Sequence, residues 1–117
     1  MKWNNLAETN PTELLEALKK NFTTYLPSHI ESEEDMWEAQ KTLSKLSSHY
    51  SFLMAACVEI KGHKRRLKRE KADKNIIEEM MEREELLNAY CDSVKMNYNA
   101  LSRMITIRQM GYEELKQ

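Results

Sequence analysis

The apolar positions of this chain fall into two long seams. Met36, Ala39, Leu43, Leu46, Tyr50, Leu53, Cys57 and Ile60 recur at alternating steps of three and four residues. That rhythm is the heptad signature of an amphipathic helix packed along one stripe. It returns at Ile77, Met80, Glu84, Leu87, Cys91, Val94, Tyr98, Leu101, Ile105, Arg108, Tyr112 and Leu115. Between the two, the first seam turns polar at Lys64 and Lys71, with Leu67 between them. The pattern predicts helices over 32–72 and 75–115, each on the order of 50–60 Å long at the α-helical rise.

A shorter helix is predicted over 11–26, behind an irregular lead-in at 1–10. Asn10 suits the cap, Pro11 the first turn, and Glu13 completes an N-x-x-E arrangement. Leu14, Leu15, Leu18, Phe22 and Tyr25 or Leu26 form its apolar stripe, and Pro27 is its expected stop. The first long helix opens at Ser32, where Glu33, Glu34 and Asp35 complement the positive end of the dipole. Asn75, with Glu78 three residues on, offers the cap of the second. A reversal near 73–75 sets the two seams face to face in an antiparallel hairpin. Tyr50 then lies near Leu101 and Cys57 near Val94, within one heptad. The alternative is one unbroken helix through residue 75 that finds its partner in another subunit. Both arrangements have thin cores, so self-association is expected. Met80, Met81, Met96, Met104 and Met110 widen the apolar face of the last helix for such packing.

Composition supports this all-α reading of a single domain over 1–117. Two Gly and two Pro in 117 residues leave too little punctuation for a many-stranded β fold. No apolar run approaches the roughly 18–20 residues of a bilayer span. The N-terminal MKWNNLAETNP has no signal-peptide core. Two cysteines 34 positions apart fit neither a disulfide scaffold nor a zinc module. A cytoplasmic setting is expected, that of the host cell if the protein is viral.

Charge changes the picture more. The net charge of −1 hides a segregated distribution: −4 over 1–60, +6 over 61–74 and −3 over 75–117. The segment KGHKRRLKREKADK carries Lys61, Lys64, Arg65, Arg66, Lys68, Arg69, Lys71 and Lys74. Such a block can neutralise phosphates and release their counterions, which makes binding salt-sensitive and largely indifferent to sequence. Its other readings are a solvated face, ion pairing between subunits, or an acidic protein partner. Tyr50 and Phe52 lie more than two turns upstream, so a stacking platform for bases is not evident along this helix.

Catalytic chemistry finds little to work with. His29, His49 and His63 are scattered, with no HExxH and no Cys/His pair at ligand spacing. Cys57 and Cys91 occupy seam positions, where a free thiol packs as a small apolar group. The acidic clusters of 31–38 and 78–85 read as helix-start charges. Gly62 and Gly111 form no phosphate loop. The expectation is a binding protein, not an enzyme, without cofactor or metal.

The order of features in LSKLSSHYSFLMAACVEIKGHKRRLKREKADK and LLNAYCDSVKMNYNALSRMITIRQMGYEEL resembles the UvsY-type recombination mediators of T-even-like phages. The resemblance covers about two thirds of the chain. It implies a ring-like homo-oligomer that binds single-stranded DNA and helps load a recombinase onto DNA covered by single-strand binding protein. By that resemblance the basic positions carry the DNA contact, and Val94, Tyr98, Leu101, Ile105 and Tyr112 carry assembly. Two functional readings therefore stand. One is a nucleic-acid-binding mediator of recombination or replication. The other is an interaction module, such as a phage inhibitor or adaptor of a host nucleic-acid enzyme, that docks through the acidic faces of Glu33, Glu34, Asp35 and Glu38.

Overall fold

The computed structural model describes residues 2–116, with side chains placed through 111. A 3-10 segment, Trp3–Glu8, precedes three α-helices: α1 (Pro11–Phe22), α2 (Glu33–Arg69) and α3 (Lys74–Lys116). No strand occurs among the described residues. The molecule is a rod of 67 × 23 × 18 Å with a radius of gyration of 18.7 Å. A compact chain of this length would have a radius near 13 Å, so the long helices set the shape.

Both ends of α1 and α2 and the start of α3 have local causes. Asn10 accepts a hydrogen bond from the Thr12 N–H at 2.8 Å and Pro11 fills the first position of α1. That helix ends at Phe22, four residues short of the expected 26. Its last turn closes on side chains instead: Asn21 Nδ2 donates to the Ala17 carbonyl, and the Thr23 hydroxyl to that of Lys19 at 2.6 Å. Thr23 itself is extended, and Tyr25, placed on the stripe by periodicity, is 89% exposed. In α2, Ser32 and Asp35 form a reciprocal capping box, each side chain accepting the other's backbone N–H.

The reversal between α2 and α3 is built from polar chemistry without glycine. Ala72 N–H donates to the Leu67 carbonyl and Lys71 N–H to that of Lys68, the bonding of a Schellman stop. Lys71 holds the left-handed conformation this requires, at φ 54°. Helix α2 therefore ends at Arg69 and not at 72. Asp73 caps α3: its side chain accepts the Asn75 N–H at 2.9 Å and its carbonyl those of Ile76 and Ile77. The cap falls on Asp73 and not on Asn75. An unbroken helix through this point is excluded by that turn.

The seams then meet along the rod. Lys64 pairs with Glu84, Cys57 faces Cys91, and Tyr50 shares a cleft with Tyr98. The residue numbers of all three pairs add to the same value, so one register runs through the hairpin. It lies three residues from the Tyr50–Leu101 and Cys57–Val94 alignment, inside the one-heptad tolerance. This register brings the two polar seam positions, Lys64 and Glu84, onto each other. Leu46, Leu53, Ile60, Leu87 and Leu101 are fully buried between the helices, each contributing about 1.5–3 kcal/mol.

The N-terminal third forms a partial extra layer. α1 runs along the side of α3 that carries Leu86, Tyr90 and Asn97, burying Leu14, Leu18 and Phe22. Trp3 and Phe52 close over Phe22 with ring centroids 5.2–5.6 Å apart. Two arginines of α3 tie this layer down. Arg83, 5% exposed, donates from Nε to the Thr9 carbonyl at 2.6 Å, and Arg108 donates to the Glu31 carbonyl at 2.8 Å.

Candidate nucleic-acid interface

The eight cations singled out in the sequence sit at the end of α2 and around its turn, at the tip of the rod. Arg65, Arg66, Lys68, Arg69, Lys71 and Lys74 are exposed, while Lys61 and Lys64 are half-buried beside the seam. They do not act as one group. Lys64 is neutralised by Glu84 at 2.5 Å, and Lys74 lies 3.9 Å from Glu78 in its own helix. Arg66 donates to Nδ1 of His63 at 2.9 Å. Lys61, Arg65, Lys68, Arg69 and Lys71 have no carboxylate at ion-pair distance among the described residues. Arg65, Lys68 and Arg69 surround a shallow depression of about 440 Å³ at Gly62, whose missing side chain leaves open space.

The hairpin also brings the acidic cluster of 78–85 alongside the basic block. Residues 75–85 carry five Glu and one Arg, so the +6 of 61–74 becomes +2 over 61–85. The tip is thus two-sided, basic along α2 and acidic along α3. Its long-range field is weak, and anion binding there depends on short contacts made on the α2 side.

The remaining candidates are accounted for by packing. Cys57 and Cys91 are buried, and burial pushes the Cys57 thiol up to about 11 and raises that of Cys91. Both stay protonated near neutral pH and act as small apolar groups. The Asp35 carboxylate is held below its usual range by the N–H groups of Glu31 and Ser32, which is capping work. No group of three or more His, Cys, Asp or Glu able to hold a metal ion occurs among the described residues. No helix among them is long and apolar enough to cross a membrane.

Of the assembly stripe, Val94, Leu101 and Ile105 are buried within the chain itself and Tyr98 is half-buried. The surface of Val94, Leu101 and Ile105 is already covered by the chain's own hairpin, while Tyr98 keeps part of its surface open. The side chain of Tyr112 lies outside the described residues.

Two features escaped sequence reasoning. Arg83 stands among glutamates, with nothing in its spacing to single it out, yet it is a buried clamp. Arg108 interrupts a seam, the one signal that pointed to a special contact. The second feature is a cleft of about 220 Å³ formed by Ser47 and Tyr50 of α2 with Lys95, Tyr98 and Asn99 of α3. Comparison with family models, with characterised proteins and with solved structures gives no match.

Proposed function

We propose that this chain is a non-catalytic accessory protein that holds single-stranded nucleic acid, DNA in the first instance, through the α2 side of its tip. One observation carries the reading. Five cations without carboxylate partners among the described residues lie along the end of α2 and in the turn that follows it. Phosphate contacts from such a cluster position a strand without reading its bases. The offsetting glutamates of α3 fit modest, contact-limited binding. Within this class, the order of features fits a recombination or replication mediator that assembles as a homo-oligomer and works beside a recombinase or a single-strand binding protein.

Charge reversal tests the interface. Arg65→Glu, Arg66→Glu and Lys68→Glu together should abolish binding to a fluorescent oligonucleotide in an anisotropy titration, with helicity unchanged. For three to five phosphates neutralised, log K of the natural protein should fall against log salt with a slope of about −2 to −3.5. Unchanged affinity in the triple variant removes the role from this block. No binding even at low salt shifts the reading to a docking module that uses Glu33, Glu34 and Glu38.

A further inference from the structure

We propose that the cleft between Tyr50 and Tyr98 is a stacking subsite for an unpaired nucleobase of the strand held at the tip. The inference rests on the nucleic-acid reading above and adds what that reading lacks, a reason to prefer single strands. Both phenol rings are half-buried, and neither hydroxyl has a hydrogen-bond partner among the described residues. Lys95 stands exposed at the same cleft, with no ion pair among the described residues. Ser47 and Asn99 complete the lining and offer donors and acceptors to a base edge. Two aromatic side chains beside a cation with no ion pair among the described residues are the elements by which proteins hold single strands without sequence preference. At about 220 Å³ the cleft is smaller than a drug-sized pocket, and a single planar ring suits it.

Its position joins it to the basic tip. Tyr50, Met54, Lys61 and Lys68 follow one another at steps of four and seven residues, so they form one row along α2. From Tyr50 the row reaches Lys61 after about 16 Å and Lys68 after about 27 Å at the helical rise. α1 covers the Leu86, Tyr90 and Asn97 side of α3, whereas Lys95 and Asn99 lie on the other side. The path from cleft to tip is therefore on the face that the N-terminal layer leaves open. A flexible strand can follow this row and turn a base into the cleft. A paired base in a duplex cannot.

The test compares an oligothymidylate of about twelve nucleotides with an abasic strand of equal length and charge. The natural protein should bind the thymidylate strand about five- to 150-fold more tightly, the range for one stacked base. In a Tyr50→Leu, Tyr98→Leu variant that preference should vanish, with affinity for thymidylate falling to the abasic level. Equal binding of both strands by the natural protein overturns the subsite while leaving the tip reading intact. That comparison requires no variant, so it holds even if the double variant unfolds. A preference that survives the double variant also overturns the subsite. Binding to neither strand at low salt overturns the tip reading and the subsite together.

Discussion

Lys71 is the residue where the chain departs furthest from its own preferences. A non-glycine residue in the left-handed region costs about 1–2 kcal/mol, and the Schellman stop of α2 demands that conformation here. The sequence offers no glycine to mark the turn, so periodicity alone carries the first long helix to 72 and puts the next cap at Asn75. Polar side chains did the marking instead, Asp73 above all. Lys71→Gly should stabilise the protein by about 1 kcal/mol, seen as a melting temperature a few degrees higher. No change, or a loss, would mean that Lys71 makes a contact outweighing its backbone strain.

At the scale of elements, the short N-terminal layer depends on a histidine kept neutral. His49 of α2 meets the Phe22 ring edge-on, with centroids 4.9 Å apart, and its Nδ1 is buried without a partner. Burial lowers its pKa from 6.5, and Lys45 adds to the effect. The unfolded chain therefore takes up this proton more readily than the folded one. The contribution of His49 is complete above pH 6.5 and is lost as pH falls through the lowered folded value. Denaturant midpoints should decline on acidification below that point, and His49→Leu should flatten the decline. The helices themselves were legible from their caps and periodicity, except where Asn21 and Thr23 close α1 early. That ending uses side-chain hydrogen bonds that a hydropathy pattern does not register.

On the scale of the whole molecule, the Lys64–Glu84 pair selects the register of the hairpin. Heptad seams alone tolerate slippage, because each apolar residue meets a similar neighbour one heptad away. A polar layer removes that freedom, since any other register leaves two half-buried charges unpaired. Lys64→Leu alone should destabilise the fold by about 1–3 kcal/mol through the stranded carboxylate of Glu84. Adding Glu84→Leu should restore most of that stability but allow more than one register, visible as extra methyl signals in NMR spectra. A single sharp set of signals in the double variant would assign the register to the apolar contacts.

The sequence by itself determined what is local and periodic: helices, their faces, the polar break in the first seam, and a dense run of cations. Those follow from the helical repeat and from capping chemistry, which act over a few residues. Tertiary structure alone decided which charges remain available. Folding the chain at Asp73 laid the glutamates of α3 along the basic block, neutralised Lys64 and left Arg65, Lys68 and Arg69 without carboxylate partners among the described residues. It also joined Tyr50 to Tyr98 across 48 positions of sequence and buried Arg83 against Thr9. Such pairings depend on the register between two helices, a quantity that no single amphipathic pattern contains.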